Sequence, residues 1–402
     1  MAKLILQINI CKIIRLISIK EVIIIEQKYI ANRCKDILTE IKYLRNMQNF
    51  LIDSHNSNRY RIIVKEPVGY TAYCFSAPIY NIHTRKLVHP YFERTHTNYS
   101  FVGSNGTVFV KDNECIFQNQ DGRAIITFNE QIVTENEHII QSNVSVSPTL
   151  NGLLFTVNSN NLKFILKSEA KQDGIRYSSN SFSLMKEVFK PFISVSALYA
   201  SDDKESLSPV EISYKHLSDQ SYEVCLFHGI QNGIFTFEIN LYEPKLFQDT
   251  TVESIHPDSN NAYGSIGFIG KTTQFGEQWL YSRPDFSKIP DLLSEQIDHA
   301  FLHIPLFSNN SNNIDVFIPE KRFCSFGSTW NTKVNAATKF KSVNSNNRYL
   351  TIDATPLFTN RTDRTLVYND GLILRKQKDS TFTAISTGDC YFAPQILEIK
   401  FK

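Results

Sequence analysis

The sequence predicts an all-β protein made of two β-sandwich (jelly-roll-like) domains, with a short helical segment near its amino terminus. Three observations predict it. Asn-Gly and Asp-Gly dipeptides punctuate the chain from Tyr60 onwards, β-branched and aromatic runs lie between them, and helical periodicity is scarce after residue 60. A tight turn needs positive φ at its central residues, which Asn, Asp and Gly tolerate, so these dipeptides between extended runs signal hairpins. Many short strands spaced in this way build sandwiches or barrels rather than parallel α/β sheets.

Residues 1–46 differ in kind from the rest. The stretch Leu4 to Ile25 is apolar but broken by Lys12, Arg15, Lys20 and Glu21. A spanning helix needs an apolar run of about 20 residues with few charges, so no membrane span is expected here. No compact apolar region with a small-residue cleavage site follows, so no signal peptide is legible. Cys34, Ile37, Leu38, Ile41 and Leu44 recur at helical spacing and predict an amphipathic helix. The segment reads either as a helical extension packed on the body or as sequence upstream of a start at Met47.

The first sandwich is expected over residues 60–242. Asn105-Gly106, Asp121-Gly122, Asn151-Gly152 and Asn232-Gly233 each separate two strand-like runs. Ser181–Lys190 reads as two helical turns stopped by Pro191, and Asp291–His299 as another short helix. Neither follows a glycine-rich loop after a strand, so no nucleotide-binding unit is present. Pro244 and a polar stretch mark the boundary, and a second sandwich is expected over 246–402.

Composition narrows the function. Lys+Arg 42 against Asp+Glu 40 gives a net charge of +2 over 402 residues, which lacks the basic footprint of a nucleic-acid binder. The seven cysteines are scattered, with no CxxC pair, and read as buried free thiols rather than a zinc site or a disulfide framework.

The second half carries an ordered set of motifs: Asn260-Asn261-Ala262-Tyr263-Gly264, Trp279-Leu280-Tyr281-Ser282-Arg283, Asp285-Phe286-Ser287-Lys288-Ile289-Pro290, Ile297 to Ile304, Ser328-Thr329-Trp330, Ile352-Asp353-Ala354-Thr355, Gly371 to Arg375 and Pro394 to Ile399. In order and spacing this region resembles the DNRLRE domains of bacterial surface and secreted proteins, grouped with carbohydrate-binding module family 96. It departs from their pattern in having Tyr349-Leu350 where a Trp is usual and Ser328 where a Val is usual. The resemblance implies a jelly-roll sandwich, a cell-surface or extracellular place and, in some members, binding of acidic polysaccharides such as alginate. The residues themselves agree on architecture. Thr355-Pro356-Leu357 has the capping residue and first-turn proline of a short helix, and Ile396-Leu397-Glu398-Ile399 alternates like a half-buried strand.

Chemistry is sparse. No G-x-S-x-G is present, and Asp285, Asp298, Asp353 and Asp389 give no sign of which carboxylates face each other. His299 and His303 are four apart in a segment read as strand; a shared ligand face is expected only from the helical alternative, so no metal or cofactor is assigned. The expectation is a non-catalytic module. Sugars stack their apolar CH faces on aromatic rings, which nominates Tyr263, Trp279, Tyr281 and Trp330, with Arg283 to pair with a uronate carboxylate. Core packing is the competing reading for the two tryptophans. A structural spacer and a polysaccharide lyase or hydrolase are the other function classes.

Overall fold

The computed structural model describes residues 37–46, 49–95, 98–134, 143–202, 207–218, 220–230, 233–285, 297–307, 313–344, 348–359, 371–376 and 381–402. Among them, four sheets form two sandwiches, as the all-β reading requires. In the first, the sheet ordered Gly174–Tyr177, Ser181–Glu187, Lys190–Ser201, Ile234–Leu241, Gly152–Val157, Val144–Pro148, Ile132–Thr134 faces the sheet that runs from Glu211–Ser218 through Ser221–Phe227, Asn161–Ser168 and Gly122–Phe128 to Glu93–Thr95. Period-two alternation makes that core. In Asn161–Ser168 the buried positions are Leu162, Phe164, Leu166 and Ser168, while Lys163, Ile165 and Lys167 point out. Phe164 joins Phe155 and Phe237, the latter two stacked at 4.5 Å and 6°.

The second sandwich pairs a six-stranded sheet with a seven-stranded one. Ile63, Ala72 and Cys74 from one layer meet Leu280, Val316 and Leu374 from the other. Its composition corrects the expected boundary. Arg61–Lys65 and Tyr70–Phe75, assigned from sequence to the 60–242 domain, belong to the six-stranded sheet, where Tyr70–Phe75 pairs antiparallel with Ile396–Phe401. The remaining strands there are Leu51–Ile52, Ile297–Pro305 and Tyr349–Asp353. A further apolar cluster, including Leu154, Leu198, Phe268 and Phe392, draws from both sandwiches and joins them.

Turn chemistry is realised unevenly. Asn119 pairs with Gly122 across a two-residue turn, and Gly122 adopts φ +148° where a Cβ would come within 2.6 Å of Ala170 Cβ. Asn105-Gly106 and Asn151-Gly152 close longer hairpin loops, with Gly103 N–H to Gly106 O and Thr149 N–H to Gly152 O both at 2.9 Å. Asn232-Gly233 is different: the strands it separates, Ser221–Phe227 and Ile234–Leu241, lie in different sheets, so this link crosses the sandwich. Asn232 itself is outside the described residues.

Ser181–Lys190 is not helical. Ser181–Glu187 is a strand that pairs with Lys190–Ser201 through an irregular register, with Phe182 and Leu184 in the core. Residues 291–296 of the second expected helix are outside the described residues, and from Ile297 the chain is strand. The short helix at Thr355 is present as Thr355–Thr359.

Helix Ile37–Arg45 packs on the outer face of the six-stranded sheet, where Ile37 and Ile41 meet Ile62, Val64, Tyr73 and Phe75. Arg45 holds both oxygens of Glu66, at 2.5 and 2.9 Å. Residues 1–36 and Met47 lie outside the described residues.

Candidate functional site

Strand Gly276–Pro284 positions the residues nominated from sequence. Alternation sends Leu280 into the main core and puts Trp279 and Tyr281 together on the opposite face of the seven-stranded sheet. That face is not open. Phe323 and Val334, from the segment between Asn313–Pro319 and Ala336–Asn344, cover it and close a small second core with Val252 and Ile373.

The cover removes most of the expected binding surface. Tyr281 is fully buried; its ring meets Phe323 at 5.4 Å, and its hydroxyl donates to Val334 O at 2.5 Å. Burial raises its pKa above the usual phenol range. Arg283 is also buried and donates to Gln248 Oε1. Tyr263, 3% exposed, packs edge-on to Tyr242 at 6.1 Å, with the Arg176 guanidinium 5.7 Å from its ring centre. These three are packing residues in this structure, which corrects the expectation that Tyr281 and Arg283 form an exposed groove. Alternation along the strand was legible; the segment folded over that face was not.

Trp279 and Trp330 come together, with ring centres 5.3 Å apart at 59°. Trp279 is 8% exposed and its indole N–H donates to Glu277 Oε1 at 2.7 Å. Trp330 is half-buried. Both rings already carry cations. Lys333 Nζ lies 3.9 Å from the Trp330 centre and 5.3 Å from that of Trp279. Arg375 Cζ lies 3.9 Å from the Trp279 centre and 5.3 Å from that of Phe317. Such placement is cation–π geometry. Partial burial, aided by the like charge of Arg375, lowers the Lys333 pKa, against the opposing pull of Glu277. Glu277 reaches Arg375 at 3.9 Å. Lys333 Nζ donates to Trp330 O at 2.8 Å, so the exposed Glu277 carboxylate serves mainly Arg375, an arrangement able to accept a further anion. Lys333, Arg375, Glu277 and Phe317 were not nominated from sequence, although Arg375 sits in the quoted Gly371–Arg375 strand, next to the Leu374 that pairs with Leu280.

Two other polar clusters are present. His299 and His303 share one face of Ile297–Pro305, since strand residues four apart point the same way; this corrects the reading that only a helix would align them. They bracket Glu398, with His303 Nε2 to Oε2 at 3.0 Å and His299 Nε2 to Oε1 at 3.5 Å, and His303 Nδ1 meets Thr351 Oγ1 at 3.0 Å. Among the described residues, no three His, Cys, Asp or Glu side chains are placed to hold a metal ion. The other cluster is Lys245 with Asp249 and Asp389, buried where the two sandwiches meet. Cys74, Cys115 and Cys390 are buried free thiols, Cys225 is half-buried and Cys324 is exposed. No helix among the described residues is long and apolar enough to cross a membrane.

No family model matches the chain, and no curated protein matches it. Among solved structures it is similar to one determined with a xylogluco-oligosaccharide, at 11% identity over 89% of this chain and 86% of that chain, with a TM-score of 0.16, too low to carry an argument.

Proposed function

We propose that this protein is a non-catalytic, surface-associated β-sandwich protein whose carboxyl-terminal half binds an acidic polysaccharide at the patch formed by Trp279, Trp330, Lys333 and Arg375. One observation carries the reading: Lys333 and Arg375 lie over neighbouring indoles with Glu277 as the nearby carboxylate. A uronate carboxylate satisfies such cations through charge-assisted hydrogen bonds, and the exposed part of Trp330 offers a sugar ring an apolar face. The order of motifs that resembles DNRLRE domains supports the same class of ligand.

A glycan array probed with the full chain, containing alginate, pectic and neutral polymers, tests it. Binding to uronate polymers that weakens with salt, and is lost in Lys333→Ala/Arg375→Ala, is the expected result. Absence of binding, indifference to the double substitution, or depolymerisation of a polymer overturns it. A structural spacer is the rival reading, and the burial of Tyr263, Tyr281 and Arg283 favours it; a blank array supports that reading.

A further inference from the structure

Lys245 lies in the link between Ile234–Leu241 and Phe247–Glu253, and its side chain is 5% exposed; those of Asp249 and Asp389 are 1% and 7% exposed. Its ammonium donates to Asp249 Oδ1 at 2.8 Å, to Ala262 O at 3.1 Å and to Asp389 Oδ2. The second Asp249 oxygen accepts the Gly388 N–H at 2.8 Å, which holds the Gly388-Asp389 turn against the lysine. A Cβ at position 388 would stand 2.5 Å from Asp249 Oδ1, so this approach requires glycine. Leu246, Phe247 and Tyr391 are buried beside these residues in the chain.

Two carboxyl groups and one amine lie together in this dry place. Burial pushes the Asp389 carboxyl up to about 7, with Lys245 opposing and Asp249 assisting. Burial acts to lower the Lys245 pKa, and the two aspartates together carry it above its ordinary value. Asp389 is thus held towards its neutral acid beside the Lys245 ammonium. Moving one proton from Lys245 to Asp249 leaves the total charge unchanged. It also places a neutral amine against a neutral carboxylic acid, the pair that can condense.

We propose that Lys245 and Asp389 form an intramolecular isopeptide bond, with Asp249 as the proton carrier. The Nζ lone pair attacks Cγ of Asp389. The tetrahedral centre then collapses as one hydroxyl leaves, protonated through Asp249, which takes the departing N–H proton in exchange. The Nζ–Cγ amide forms, one water is released, and Asp249 ends protonated. No oxidant or co-reactant enters. A polar pocket lined by Asp389, Ser196, Tyr263 and Ser265 adjoins the site and can receive the water; within it the buried Tyr263 hydroxyl has no hydrogen-bond partner among the described residues. The bond would join positions 144 residues apart, tying the link between the two sandwiches to the turn before the final strand Ile396–Phe401. This inference is independent of glycan binding.

Intact mass of the full chain under denaturing conditions tests it. The expected mass is one water below that of the sequence, and a tryptic digest should yield a branched peptide in which Lys245 is uncleaved and carries the Asp389 peptide. Lys245→Arg keeps a cation for the aspartates but cannot form the amide, and should show the full sequence mass. Asp249→Asn should also show its full mass while circular dichroism reports retained β-structure. A wild-type chain at full mass, giving two linear peptides, overturns the proposal. So does a water loss that persists in Lys245→Arg, which would place the dehydration elsewhere, such as a succinimide at Asp121-Gly122. Persistence in Asp249→Asn alone overturns the role given to Asp249.

Discussion

Glu40 and Arg348 form a buried ion pair across 308 residues of chain. The carboxylate is fully engaged: one oxygen accepts from Arg348 and the other from the Tyr349 hydroxyl, and the paired side chains are 7% and 10% exposed. Removing one partner of a buried pair strands the other charge, at about 3–5 kcal/mol. Glu40→Ala should therefore lower the unfolding free energy measured by urea titration by an amount of that order. A loss under about 1 kcal/mol would mean that helix Ile37–Arg45 is not docked as described.

The Tyr281 hydroxyl and the patch around Trp330 separate stability from binding. Tyr281→Phe leaves the Val334 carbonyl unpaired in the small second core and should cost about 1–3 kcal/mol, with glycan affinity unchanged. Lys333→Ala/Arg375→Ala should do the reverse. Charge-assisted contacts are worth about 1.5–3 kcal/mol each, so affinity should fall more than about tenfold while the melting temperature moves little. Calorimetric titration beside thermal melts checks both.

Stability should fall with rising pH on account of Glu238. It is fully buried in strand Ile234–Leu241 and accepts the Tyr391 N–H at 3.2 Å. Desolvation raises its pKa from 4.5 to about 8, against hydrogen bonds that favour the carboxylate. Between these values the folded chain keeps a proton that the unfolded chain has lost, so folding is favoured at the acid end of the window and this contribution is lost as pH approaches 8. Glu238→Gln should flatten the decline in melting temperature between pH 5 and 8. An unchanged slope would remove Glu238 as its cause.

Phe237 anchors the first sandwich, stacked on Phe155 at 4.5 Å and lying 5.8 Å from Phe164. Phe237→Ala removes a fully buried ring and should cost about 3–5 kcal/mol. Denaturant unfolding measures it.

Local patterning carried much of the architecture into the sequence. Asn161–Ser168 announces its strand and its inward face by alternation alone, and Asp121-Gly122 marks a real turn. Partnership was not legible. Nothing in Tyr70–Phe75 says that its neighbour is Ile396–Phe401, because a strand buried on both sides of its sheet reads as continuously apolar wherever it pairs. The site suffered for a related reason. Trp279 and Tyr281 do share a face, as alternation requires, but whether that face meets water depends on the segment carrying Phe323 and Val334, which has no periodic signal. The shared face of His299 and His303 follows from their spacing, since four residues align side chains on strands as well as on helices.

The Ser76 hydroxyl accepts the Gln395 N–H across 319 residues, beside the pairing of Tyr70–Phe75 with Ile396–Phe401. A ribosome must therefore deliver the chain as far as Phe401 before this sheet can close. Until then, Tyr70–Phe75 and Ile297–Pro305 each present a raw apolar edge, the kind that recruits other chains, and such distant pairing slows assembly. Chaperone occupancy during synthesis, and clumping of chains shortened at the final strand, are the biological costs built into this topology.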